Sequence, residues 1–125
     1  MSKKERMFNW ASCELSGFQK GFITIKIDFI SNILSWKSAK QWNNNFVQGL
    51  PKAQMKPLYE SLDKFLQENS DKKPTKITQP EPYVWIIQYG MPDEIIELQG
   101  YDIDFDSWKE LITAIEKVSR REFKL

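Results

Sequence analysis

Between Phe22 and Phe29 the side chains alternate: Ile23, Ile25, Ile27 and Phe29 fall on one side, Phe22, Thr24, Lys26 and Asp28 on the other. A period of two predicts a half-buried β-strand. Ser31-Asn32 offers a two-residue turn, because Asn tolerates positive φ, and Ile33 to Trp36 is expected to return as the second strand of a hairpin. From Ser38 to Leu50, through Asn43-Asn44-Asn45, no period is sustained, which predicts an ordered loop anchored by Trp42, Phe46 and Val47.

The pattern then changes to helical. Leu58, Leu62, Phe65 and Leu66 share one helical face, Pro57 suits a first turn, and Glu60 and Lys64 form a favourable i,i+4 pair. Pro51 predicts a shorter preceding turn, so that the helix is kinked or starts in two steps, and Asn69 is the expected left-handed residue at its end. Asp71 to Pro82, with three prolines and three lysines, reads as a connection between two halves. Beyond it, Trp85, Ile87 and Tyr89 alternate with Val84, Ile86 and Gln88, and Gly90-Met91-Pro92-Asp93 provides turn chemistry before Glu94 to Gln99, which predicts a second hairpin. Ser107-Trp108-Lys109-Glu110 matches a capping box, and Trp108, Leu111, Ile112, Ile115 and Val118 recur at helical spacing.

Residues 22–66 and 83–118 therefore each read as strand, strand and amphipathic helix, joined by 71–82. The expected fold is α+β, in one domain spanning 1–125: two β-hairpin-helix units forming a four-stranded, mostly antiparallel sheet with two helices packed on one face. Residues 1–20 carry Met7, Phe8, Trp10, Leu15 and Phe18, too apolar for a free tail. They are expected to cover the other face or add an edge element.

Composition narrows the chemistry. The 125 residues suit one domain, and 41% apolar with 14% aromatic residues fits a packed globular chain. With no histidine, the usual general base near neutral pH and the commonest transition-metal ligand are missing. Cys13, the single cysteine, builds no disulfide, redox pair or zinc site within one chain, and reads as a buried small hydrophobe. No apolar run follows the charged N-terminus and none approaches the roughly 20 residues of a membrane span, so a cytoplasmic protein without membrane contact is expected. There is no Walker-type loop and no paired nucleophile and base. A carboxylate-only acid and base would have to draw on Asp28, Glu94 or the Asp102 to Asp106 group, and nothing in the sequence places two of them in one cleft. The reading is non-enzymatic, with no cofactor.

Charge is nearly balanced overall but not along the chain. Residues 1–80 hold 13 bases and 7 acids, residues 81–125 hold 5 bases and 10 acids, and Glu81 to Trp108 holds seven acids and no base. That stretch suggests a surface for a basic protein, with Asp93, Glu94, Glu97, Tyr101, Asp102 and Asp104 as candidate contacts. Acids there also solvate a hairpin and favour the positive helix N-terminus at Ser107. Asp102-Ile103-Asp104-Phe105-Asp106 invites a calcium reading, but an EF-hand loop starting at Asp102 needs Gly and Glu where Ser107 and Thr113 stand. In extended backbone the three carboxylates share one face while Ile103 and Phe105 pack on the other, and no metal site is assigned.

Five Trp and four Tyr exceed what one small core readily hides, which points to exposed aromatic anchors, with aromatics that are merely core, or a homodimer seam, as the plainer explanation. The function expected is thus a non-catalytic protein-binding module, of the kind seen in small regulators, inhibitors and immunity proteins. The competing expectation is nucleic-acid binding by the lysine-rich part, through Lys37, Lys40, Lys72, Lys73 and stacking on Trp42.

Overall fold

The structure, a computed structural model, describes residues 8–39, 45–91 and 93–123. The elements run β1 (Trp10–Gly17), β2 (Gly21–Asp28), β3 (Ile33–Ser38), β4 (Phe46–Gly49), α1 (Lys52–Glu68), β5 (Val84–Gly90), β6 (Ile95–Gly100) and α2 (Asp106–Ser119). The strands form one six-stranded sheet in the order β4-β3-β2-β1-β5-β6, with every neighbouring pair antiparallel. The fold is α+β as expected, but six strands replace the expected four.

Both additional strands lie where the apolar pattern was weak. β1 is central, not a cover or an edge: it pairs with β2 on one side and β5 on the other, so the two hairpins meet across it. Ala11, Cys13 and Leu15 are buried while Trp10, Ser12, Glu14 and Ser16 face the opposite side at partial exposure. β4 forms within the segment expected to be a loop and pairs Phe46 with Trp36, whose rings stack 5.7 Å apart. Lys40 and Trp42 lie outside the described residues.

The β2 alternation holds, with Ile23, Ile25, Ile27 and Phe29 all buried. The turn after it is longer than two residues, since Asp28 and Ile33 are the last pair and Phe29 to Asn32 form the loop. The Asp28 carboxylate organises that loop by accepting the N–H groups of Ile30 (2.9 Å) and Ser31 (3.1 Å). Asn32 adopts φ 61° as its side chain permits.

Both helices cover one face and bury one side into a common core: Met55, Leu58, Leu62, Phe65 and Leu66 from α1, and Trp108, Leu111, Ile115 and Val118 from α2. Trp85 lies between them, its ring 5.3 Å from Phe65 and 5.6 Å from Trp108. α1 starts after Pro51, so Pro57 sits inside the helix instead of in its first turn. It ends at Asn69 as expected but by other means: Asn69 has φ −123°, not a left-handed value. Its buried amide donates to Phe65 O (2.9 Å) and Ser107 Oγ (3.0 Å). The capping box of α2 is likewise not formed. Phe105 is the N-cap, while Ser107 accepts from Asn69 and Glu110 pairs with Lys64 at 2.9 Å. Tertiary partners on α1 have taken the groups that local sequence assigned to a cap.

Both sheet edges are blunted. β4 has only four residues, and at β6 the connecting segment lies alongside, Lys72 O accepting the N–H of Gln99 (2.9 Å) and Thr75 O its side-chain amide (3.2 Å). Short or covered edges are the usual defence against unintended strand pairing.

Candidate interaction surface

Pair registers define the side of the sheet away from the helices. One row across it reads Val47, Ser35, Lys26, Ser12, Gln88, Glu97, and the next reads Lys37, Thr24, Glu14, Ile86, Gln99. No described helix lies on this face. Its bases, Lys26 and Lys37, fall on β2 and β3, and Glu14 and Glu97 on β1 and β6. Lys26 Nζ rests 5.0 Å from the centre of the Trp10 ring, and Thr24 Oγ1 donates to Glu14 at 3.5 Å.

The acidic candidates divide into two groups. At the β5–β6 turn, closed by Met91 N–H to Glu94 O (2.7 Å), Asp93 and Glu94 are exposed. Glu97, on the uncovered face, accepts from Gln88 Nε2 at 2.8 Å, and Ile95 beside it is 65% exposed. At the far end of β6, the Tyr101 hydroxyl is 3.0 Å from Thr75 Oγ1 and accepts from Gln99 Nε2 at 2.9 Å. Asp102 accepts the Asp104 N–H on its carboxylate (2.9 Å) and the Trp85 indole N–H on its backbone carbonyl (2.9 Å). Glu94 and Tyr101 are seven residue steps apart along an extended strand, roughly 23 Å, so the structure does not bring these two groups together.

The second group also has a basic neighbour. Lys72 lines a cavity of about 200 Å³ with Trp85, Gly100, Tyr101, Asp102 and Phe105, its ammonium 5.6 Å from the Phe105 ring centre. Asp102, Asp104 and Asp106 point to solvent while Ile103 and Phe105 pack against the core. Among the described residues no group of three or more His, Cys, Asp or Glu side chains is arranged to hold a metal ion.

The lysine candidates are also dispersed. Lys37 is exposed on β3, whereas Lys72 and the exposed Lys73 lie beyond β6, four strand spacings or roughly 19 Å across the sheet. The aromatic excess is largely core: Trp36, Trp85 and Trp108 are buried, and Tyr59, Tyr83 and Tyr89 pack against the core. That corrects the expectation of many exposed anchors; Phe18 and Phe22, at 55% and 40%, are the exposed rings described. Cys13 is buried beneath the helices, and desolvation, with the charge of Glu14 second, pushes its thiol far above the ordinary range, so it is no nucleophile.

One group of residues was missed from sequence. Beside the acidic turn, a cavity of about 320 Å³ is lined by Phe8, Asp63, Leu66, Gln67, Ser70 and Tyr89. Asp63 accepts from Gln67 Nε2 at 3.0 Å. Burial and, secondarily, the negative charge of Glu94 raise the pKa of the Tyr89 phenol, which places Glu94 within electrostatic reach of this cavity. Residues from β1's approach, α1 and β5 meet here only through the fold, and no local motif announces them. No protein-family model matches the chain, and a search of curated proteins finds no match.

Proposed function

We propose that the chain is a non-catalytic module that binds a protein partner with a basic surface, as a small regulator, inhibitor or immunity-type protein does. The observation that carries this reading is the acidic corner itself. Asp93 and Glu94 are exposed at the β5–β6 turn, Glu97 follows on the uncovered face beside exposed Ile95, and among the described residues no lysine or arginine pairs with any of the three. An apolar side chain beside carboxylates that no described cation neutralises suits a partner whose basic groups are steered in by charge and then packed against Ile95. The group at Tyr101, Asp102 and Asp104 contributes less, because its polar atoms organise the chain locally and Lys72 stands beside it.

Affinity capture by the whole tagged chain from lysate of its own host, with and without nuclease, tests the reading. A stoichiometric protein that survives nuclease, and is lost on Glu94→Lys/Glu97→Lys with the circular dichroism unchanged, is the expected result. Retention of that protein by the reversed chain refutes the acidic corner. Loss of all captured material on nuclease treatment refutes the protein partner.

A further inference from the structure

We propose that the cavity lined by Phe8, Asp63, Leu66, Gln67, Ser70 and Tyr89 receives an arginine side chain of the partner protein, an inference that rests on the basic-partner reading above. At about 320 Å³ the cavity lies at the small end of ligand sites, which span roughly 300–1,000 Å³. It suits one side chain better than a cofactor. Its floor is apolar, made of Phe8 and Leu66, as the methylene stem of arginine requires.

The polar end matches a guanidinium. Asp63 is the one charged residue in the lining, and no base accompanies it. Gln67 occupies one oxygen of its carboxylate at 3.0 Å, which fixes the group while leaving most of its roughly four acceptor positions for an incoming donor. Tyr89 places an aromatic ring in the same lining, within which a cation can be attracted, and Glu94 on the adjoining turn adds negative potential at the Tyr89 end. Arginine suits such a place better than lysine because its planar, weakly hydrated cation tolerates partial burial and binds carboxylates through two parallel donors.

The cavity is also built in advance. Phe8 stacks on Tyr59 at 4.4 Å and meets Phe29 and Tyr89 edge-on at 5.7 and 5.6 Å. Asn9 ties the adjoining backbone to both neighbouring strands, donating to Gly90 O (3.0 Å) and accepting from Phe29 N–H (2.9 Å). A floor held this way does not need to be ordered by the incoming side chain, which lowers the entropic cost of association.

Titration of the whole chain with Nα-acetyl-arginine amide, followed by ¹H–¹⁵N NMR, tests the proposal against its uncharged isostere Nα-acetyl-citrulline amide. Saturable millimolar shifts at Leu66, Gln67, Ser70 and Tyr89 are expected with the arginine compound, and Asp63→Asn weakens them at least fivefold. Equal shifts with the citrulline compound, or a titration indifferent to Asp63→Asn, overturn it. Should Asp63→Asn fail to fold, Glu94→Gln on the exposed turn gives the same comparison, with a two- to threefold loss expected and no loss overturning the proposal. At the level of the partner the two readings separate. A captured protein that binds the Asp63→Asn chain as tightly as the wild type sinks the arginine cavity and leaves the acidic corner standing. If no protein is captured, the partner reading fails, and the arginine proposal with it.

Discussion

Gly100 ends β6 directly opposite Trp85, and the absence of its side chain is what lets the indole lie flat there. A methyl group at this position would sit 2.5 Å from Trp85 Cε2 and 2.8 Å from Nε1, well inside van der Waals contact. The indole is held in place by its neighbours. It is fully buried, packed against Phe65, Phe105 and Trp108, and tethered by its N–H to Asp102 O at 2.9 Å. Overpacking a core costs about 1–3 kcal/mol, and displacing the indole hydrogen bond adds about 1 kcal/mol. Gly100→Ala is therefore expected to lower stability by about 2–4 kcal/mol, which for a chain of this size is a fall in Tm of roughly 6–15 °C. Urea unfolding followed by circular dichroism measures it, with Gly49→Ala as control. A methyl at Gly49 meets no atom within 4 Å, so that variant should stay within about 0.5 kcal/mol of wild type or gain slightly. If the indole is the obstacle, the cost of Gly100→Ala falls below about 1 kcal/mol when Trp85 is already Phe. An unchanged cost in that background, or a harmless Gly100→Ala, refutes the reasoning.

Asn69→Ala removes two amide hydrogen bonds, one to Phe65 O within α1 and one to Ser107 Oγ on α2, and is expected to cost about 1–3 kcal/mol; in thermal unfolding, adding Ser107→Ala should cost less than the sum of the two single changes. Cys13 should react with a thiol reagent only as fast as the fold opens, and rapid labelling of the native chain would contradict its burial. Because burial raises the native thiol pKa, the stability linked to it is complete below the unfolded value of about 8.5 and is lost as pH rises above that value toward the folded pKa. Between pH 9 and 10.5, urea unfolding of Cys13→Ala should therefore lose stability less steeply than wild type, by about 1.4 kcal/mol per pH unit. The Asp28 carboxylate, held below its ordinary range by the Ser31 and Ile30 N–H groups, should titrate below free aspartate by NMR, so that its small contribution is present above the unfolded pKa and fades as pH falls through the folded one.

The strands with large branched residues were legible because their alternation is loud: Ile23, Ile25 and Ile27 in β2, Trp85 and Ile87 in β5. β1 obeys the same period, but it buries Ala11 and Cys13, whose small side chains signal little, and partners Trp10 with the polar side, where it packs on Gly90. With Leu15 as its one large buried residue, β1 carries too weak an alternation to announce itself as the joint of the sheet. β4 was invisible for another reason. Its four residues gain strand structure from pairing with β3, and only Phe46 contributes a large side chain toward the core side, against Trp36. The helix ends show the converse. Asn69 and the Ser107–Glu110 box have the sequence of local caps, yet both are spent across the α1–α2 contact, where tertiary geometry offers the same atoms other partners.

The candidate surface follows the same rule of distance. Seven acids without a base formed a continuous run along the chain, but β6 is extended, and an extended strand separates its ends by far more than the roughly 10 Å over which exposed charges act together in physiological salt. The run therefore becomes two sites with different neighbours. At one end the connecting segment brings in Lys72, a residue 30 positions before Asp102, and the Asp102 carboxylate is occupied by the Asp104 N–H. At the other, α1 brings Asp63 to the cavity beside Glu94, 31 positions away, and adds an anion that no charge map of the sequence would have grouped with it. The acidic turn gains on folding what the Asp102 end loses. For that reason reversal of Glu94 and Glu97 should disturb a basic partner far more than reversal of Asp102 and Asp104, and equal losses of captured partner from the two double variants would show that charge density along the chain, and not its arrangement in the fold, governs recognition.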